Sequence, residues 1–434
     1  MEGGMPSPPP SLTPSCPCCA FLPEDIFLPP PTRPSEDGAP SDLPDRRRPP
    51  SACLPAAAAT AVPLPPPGWR PSVLVDTHGH PHLEREGSAE SGGGGGGEGE
   101  GGAEVTSLVC AVSPSDWDRT LEYASEPSRR SRTLPALGVH PWYLVGGGEG
   151  GDHSSLMDPA SYLPDLERRL ASHPRALVGE IGLCRVARYV RSFPAELGGR
   201  AAALEAQREA FAAQLGIAAR LRRPASVHCV QMHGPLMKVF AGMREEGMAG
   251  VRAWRKRRRR AGRWQEGEGG GTADAGAKGG EGRREPLVRD AFPPAIALHS
   301  FTGTAHHVKE LLALEATLGT ASSTSVGKGG GEGSEADPDP EDLPPLFYFG
   351  FSHTVNVAMC PSEKGRARNA EAVRAVPPRR LLAESDVHRT EDVAKGTAAA
   401  VAYLAEATGR PLDDAAHLAA RNGLEFLRVV MEKA

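Results

Sequence analysis

Short apolar, β-branched runs alternate with longer stretches of helical period through most of this chain. Eight runs read as strands: SVLVDTH from Ser72, TSLVCAV from Thr106, TLPALGVH from Thr133, ALVGEIGL from Ala176, PASVHCV from Pro224, AIALHSF from Ala295, LFYFGFS from Leu346 and RLLAESD from Arg380. Each is followed by a polar or catalytic-type residue and then a helical stretch, the sign of a parallel α/β fold. Between them lie amphipathic stretches. In LEAQREAFAAQLGIAARLRR from Leu204, for example, Phe211, Leu215, Ala218 and Leu221 recur on one face. The segment from Val393 to Val430 predicts two or three closing helices. Eight strand–helix repeats predict an α/β fold, a TIM-type (β/α)8 barrel. The competing topology, an open doubly wound sheet, normally carries a Gly-rich phosphate fingerprint after its first strand, and none follows Ser72–His78.

Composition changes this picture in one respect. The 51 Gly and 43 Pro of the 434 residues are concentrated in tracts that bury too little apolar surface to offset the entropy lost on ordering. Residues 1–70 are expected to form a disordered Pro-rich tail, and residues 71–434 the barrel, with low-complexity loop insertions at about 85–103, 146–153, 250–286 and 321–343. Without these, roughly 280 residues remain, close to the roughly 250 of one TIM barrel.

A net charge of -5 creates no global field that attracts nucleic acid, so any such role must rest on a local site. Of the eight cysteines, Cys16, Cys18, Cys19 and Cys53 lie in the tail, and Cys110, Cys184, Cys229 and Cys360 show no disulfide spacing. Reduced thiols in a cytoplasmic or nuclear protein are the expectation. Neither a membrane span nor a secretory signal is expected, since no run of 18 apolar residues occurs and Glu2, Glu24 and Asp25 are acidic. The basic run Arg255–Arg260, flanked by Trp254 and Trp264, is assigned to a Gly-rich insertion as a solvated charge cluster, with nuclear import or phosphate contact as alternatives.

The candidate chemistry sits where the strands end. The first run closes with Asp76-Thr77-His78-Gly79-His80, and residues two apart on a strand share a face, so His78 and His80 can converge on a cation. His82 continues the alternation and competes for that place. Glu180, His228, His299 and Asp386 follow apolar residues at the ends of strands four, five, six and eight. A barrel brings all its strand ends to one rim. A salt bridge to Arg is the ordinary alternative for Glu180, and a structural hydrogen bond that for each His. Taken together, four His and two carboxylates suffice for two divalent ions, zinc or manganese, with cobalt or nickel also suited and magnesium preferring more oxygen.

These segments resemble the TatD family of metal-dependent deoxyribonucleases. The likeness runs from about Val73 to Leu427 through DTHGHPHL, LGVHPWY, VGEIGL, the helix bearing Gln207, Phe211, Gln214 and Leu215, then SVHC, ALHSFTG, FYFGFS, LLAESD and the terminal Asn422 and Phe426. GVHPW together with SVHCVQ is similar to the fungal Cut9-interacting branch. The resemblance implies that His78, His80 and Asp386 hold one metal, that His228 and His299 hold the other, and that Glu180 bridges them, with His140 lining the site toward substrate. It further implies hydrolysis of a phosphodiester such as DNA by a water that two cations activate, with Asp386 taking its proton.

Three departures stand out. Cys184 occupies a position where many members have Asp, Val230 one where they have Arg, and Val387-His388 follow Asp386 in place of Ala-Pro. Loss of the Arg removes a phosphate clamp, for which His388 or Arg389 are the available substitutes. Two further readings keep the same barrel: an amidohydrolase-like enzyme cleaving a C–N or carboxylic ester bond, and a non-catalytic interaction protein.

Overall fold

The computed structural model describes residues 64–66, 69, 71–84, 104–145, 155–267, 285–319 and 344–432, with the backbone alone for 261–267. The chain divides into two units, Met1–Ala61 and Val62–Ala434. The first lies outside the described residues, as do the Cys16, Cys18, Cys19 cluster and most of the expected insertions.

All eight expected strands are present: β1 (Val73–Gly79), β2 (Glu104–Cys110), β3 (Thr133–Leu137), β4 (Leu177–Cys184), β5 (Ala225–Val230), β6 (Ile296–Leu298), β7 (Phe347–Phe351) and β8 (Leu381–Ala383). They pair in parallel in sequence order, β1 to β8. The helices are α1 (Trp117–Ser125), α2 (Pro159–Ser172), α3 (Arg188–Ser192), α4 (Gly199–Arg220), α5 (His233–Gly267), α6 (Ala305–Gly319), α7 (Glu363–Ala375), α8 (Val393–Thr408) and α9 (Leu412–Met431). The result is a nearly closed TIM-like barrel. Its seam is tied where β1 meets the end of β8 and the residues that follow: Asp386 N–H donates to the His78 carbonyl (3.0 Å), His80 N–H to that of Val387 (2.8 Å), and the Thr77 hydroxyl to that of Ala383 (3.1 Å).

Strand alternation sorts side chains into two cores. On β7, Phe347, Phe349 and Phe351 pack outward against the helices, while Tyr348 points inward. Val75, Leu108, Leu134 and Leu382 join Tyr348 inside, where Phe426, Leu427 and Val430 of α9 complete the cluster. The apolar filling of the barrel's interior is therefore supplied in part by the last helix.

Two ladder irregularities prepare the site. The register shifts between Asp76 and Gly79 on β1 and between Val178 and Ile181 on β4. Such shifts re-aim side chains locally, here at His78 and Glu180. Strand four consequently does not end at Glu180 but continues to Cys184, and His228 lies within β5 with two strand residues after it. Asp386 lies three residues past β8, in the left-handed region at φ 52, which Asp tolerates better than most residues.

The basic run is a correction. It was expected in a loop, but Arg252–Arg260 lies on α5, which continues to Gly267. Between Val251 and Ala261 there is no Gly, and Arg, Lys and Ala are strong helix formers. The helix outlasts its packing until the Gly-rich sequence begins.

Candidate metal centre

Glu180 is the hub. Its side chain is 3 % exposed, and one oxygen, Oε2, faces His78 Nε2 at 3.3 Å and His80 Nε2 at 3.2 Å. The other, Oε1, faces His299 Nε2 at 2.6 Å, His228 Nδ1 at 3.0 Å and His140 Nε2 at 3.1 Å. Asp386 Oδ1 lies 4.0 Å from His78 Nε2 and 3.9 Å from His80 Nε2. All six residues singled out as ligands therefore meet at one rim, and five histidines take the place of an Arg partner for Glu180. Three sets bring ligand atoms within 4.8 Å of one another: His78, His80 and Asp386; His78, Glu180 and His299; and His140, Glu180 and His228.

The remaining ring nitrogens show how the imidazoles are oriented. His80 Nδ1 lies 2.7 Å from the Cys110 carbonyl, which can only accept, so Nδ1 carries the proton and the lone pair of Nε2 faces the carboxylates in the neutral ring. His78 Nδ1 is held by the Ser226 hydroxyl at 2.9 Å. His140 is the reverse case: its Nδ1 accepts from Trp142 N–H (3.2 Å), so its proton sits on Nε2 and points at Glu180. His140 thus presents a donor to Glu180, where the neutral ring of His80 presents a lone pair.

This cluster has the composition of a metal site. His78 and His80 bring their Nε2 atoms to 3.2 Å of each other, as do Nδ1 of His228 and Nε2 of His299. Buried His228 Nε2 and His299 Nδ1 have no hydrogen-bond partner among the described residues. Nitrogen donors grouped around a shared carboxylate are a chelating set.

The electrostatics follow from burial opposed by mutual charge. Burial pushes the Glu180 carboxyl up, yet His140, His299 and His78 hold it well below the usual range. Burial depresses His78 to about 3 and His140 to about 4. For His80 burial is outweighed by Glu180 and Asp386, which raise it to about 9, and for His228 by Cys184 and Glu180, which raise it to about 10. Asp386 is lowered because His78, His299 and His80 outweigh its burial.

Several supporting residues were not anticipated. Asp76 accepts from Ser385 N–H and from the Ser385 hydroxyl, both at 2.7 Å, and so fixes the loop that carries Asp386. Burial pushes Asp76 up to about 7. Ser300 donates its hydroxyl to Asp386 Oδ2 at 2.8 Å and its amide to Glu384. The two glutamines of α4 clamp backbone next to the site: Gln214 bonds the amide (2.8 Å) and carbonyl (3.2 Å) of Val139, and Gln207 those of Cys184 (2.8 and 3.1 Å). The spacing of the motif thus latches β3 and β4 to one helix.

His82 is not in the cluster. It falls in a short 3-10 turn, Pro81–Leu83, that ends the strand alternation, and its Nε2 lies 3.2 Å from Asp116. Cys184 and Val230, two of the three departures, are cross-strand partners on β4 and β5, and Cys184 Sγ accepts from Trp142 Nε1 at 2.9 Å. Arg389 is engaged by Glu84 and Glu391, and the His388 ring stacks on His80 with centroids 5.2 Å apart.

The chain has recognisable relatives among known proteins. Residues 75–328 match the family described as TatD related DNase. Cut9-interacting protein scn1 of Schizosaccharomyces pombe is 23% identical over 364 residues, covering 74% of this chain and 91% of that protein. Among solved structures, a TatD homolog from Escherichia coli, YJJV, is 17% identical over 74% of this chain and 85% of its own, with a TM-score of 0.42. A TatD family hydrolase from Entamoeba histolytica is 10% identical over 82% and 99%, with a TM-score of 0.45.

Proposed function

Because the chain belongs to the TatD related DNase family, we propose that it is a hydrolase of phosphodiesters, with DNA as substrate class, that uses two divalent cations sharing Glu180. The observation that carries this reading is the division of the Glu180 carboxylate, one oxygen facing His78 and His80 and the other His228 and His299. His78, His80 and Asp386 would hold one cation, and His228 and His299 the second. Zinc or manganese suits these donors. Such a pair, when bound, supplies Lewis acidity to water and to the ester oxygens.

The chain's own contribution is positioning and proton transfer. Asp386 turns Oδ1 toward His78 and His80 and is steadied through Oδ2 by Ser300, and its carboxylate would accept a proton from water. His140, neutral near pH 7, directs an N–H into the site and would donate to a substrate oxygen. Cys110 and Ser226 hold the rings of His80 and His78 against rotation.

The test is hydrolysis of linear DNA and of bis(p-nitrophenyl) phosphate by protein supplied with zinc or manganese, with and without chelator. Asp386→Asn should cut turnover by about 10²–10⁴-fold, the range of a positioned acid or base. Full activity in that variant rejects the assignment. The Cys184–Val230 pairing favours a second reading, because it places no cation on that flank of the site. A less anionic substrate, a carboxylic ester or cyclic amide, would then be cleaved while DNA is left intact.

A further inference from the structure

Helix α5 begins three residues after β5, at the rim that carries the histidines, and runs back along the barrel. At Gly247 it packs against Val288 and Ala291, which lie ahead of the first residue of β6 and therefore at the opposite end. Val251 is the last buried apolar residue described on it. Beyond come Arg252, Lys256 and Arg257 to Arg260, all exposed. Residue 257 lies about 36 Å along the axis from His233, at about 1.5 Å per residue.

This end of the helix is charged on all sides. Four successive arginines at about 100° per residue sweep about 300° of the circumference. Arg255 pairs with Glu285 at 2.5 Å. Among the described residues no carboxylate pairs with Arg252, Lys256 or Arg257 to Arg260. Like charges three and four apart, such as Arg252 with Lys256 and Lys256 with Arg260, repel by about 0.2–0.5 kcal/mol each. Trp254 is half-buried beneath the Arg258 guanidinium, 5.1 Å from the ring centroid, so its ring is partly covered.

We propose that this end of α5 is a docking site for duplex DNA, set at the opposite end of the barrel from the metal cluster. A helix that lies on a membrane needs an apolar side, and among the described residues 252–260 no large apolar side chain is fully exposed. A helix ringed by cations is matched by phosphates on two sides at once, which the major groove of B-form DNA provides. That groove is about 12 Å wide and admits a helix about 10–12 Å across, whereas the deep, narrow groove of duplex RNA does not. The contacts would be to the backbone and independent of sequence. Docking therefore tethers the protein to DNA without placing the bound segment in the catalytic mouth.

The experiment is fluorescence anisotropy of a labelled DNA duplex with full-length protein in chelator, so that hydrolysis plays no part and the outcome is separate from the proposed reaction. The wild type should bind with strong salt dependence. Combined Arg257→Gln, Arg258→Gln, Arg259→Gln and Arg260→Gln should reduce the slope of log affinity against log salt by about 3–4, at about 0.9 per phosphate contact. Gln keeps the helix propensity of Arg, and circular dichroism checks that the helix persists. The same four positions changed to Lys should keep the wild-type slope. Hydrolysis of bis(p-nitrophenyl) phosphate should be equal in all three proteins. An unchanged slope in the Gln variant, no DNA binding by the wild type, or binding to duplex RNA or phosphatidylserine vesicles in preference to DNA would each overturn the proposal.

Discussion

Replacing Gln214 by Leu removes both hydrogen bonds that hold Val139, the residue before His140. Gln214 and Val139 are each 1% exposed, so no water can take over. The Val139 amide and carbonyl, now paired at 2.8 and 3.2 Å, would be left without partners at about 1–3 kcal/mol each. The greater apolar burial of Leu offsets about 1–2 kcal/mol of this. The expected net loss is about 2–3 kcal/mol, read by urea unfolding of metal-free protein. Release of the strand end should also move His140, and a displacement of about 1 Å can cost about 10²-fold in turnover. Gln207→Leu frees Cys184 and Tyr189 instead, two helical turns away, and the two effects should add to within about 0.5 kcal/mol. A Gln214→Leu protein destabilised by less than about 0.5 kcal/mol with unchanged turnover would refute the clamp, since two orphaned groups at about 1–3 kcal/mol each should outweigh the burial of Leu.

Three further outcomes follow from the same geometry. His80, raised to about 9, and His228, raised to about 10, are protonated near neutral pH in the metal-free protein, whereas His78 and His140 are neutral. Metal uptake should therefore release about two protons, measurable by calorimetry in buffers of different ionisation enthalpy, and no release would contradict the charge assignment. Gly182→Ala should destabilise the barrel by more than about 2 kcal/mol in thermal unfolding, because φ is 151 and a Cβ there would overlap the His228 carbonyl oxygen. A stable variant would mean that β4 and β5 can part freely. Ser300→Ala should leave the fold intact while lowering kcat through a mobile Asp386, and an unaltered pH profile and kcat would remove Ser300 from the positioning role.

The eight strands were legible because each is an apolar run interrupted only where it meets the site, and the ligands because His and acids are rare within such runs. His82 illustrates the limit. Alternation extended past His80 only on paper, since Pro81 begins a turn that sends the next ring to Asp116. Asp76, Ser226, Ser300 and Ser385 escaped because small polar residues acquire their roles from partners as many as 309 positions away, which no local spacing records. The glutamines of α4 were visible as a motif, but their targets, the backbones of Val139 and Cys184, became apparent only with the helix seated on β3 and β4. The basic run was misplaced for a simpler reason: flanking Gly-rich sequence suggested a loop, while its own residues favour a helix.

The shared role of Glu180 is tested most directly by counting bound metal. Elemental analysis of protein dialysed against zinc or manganese should find about two ions per chain in the wild type, and Glu180→Gln should lose at least one while circular dichroism remains unchanged. A wild type that retains one ion or none, or a Glu180→Gln protein that still holds two with wild-type affinity, would contradict the account.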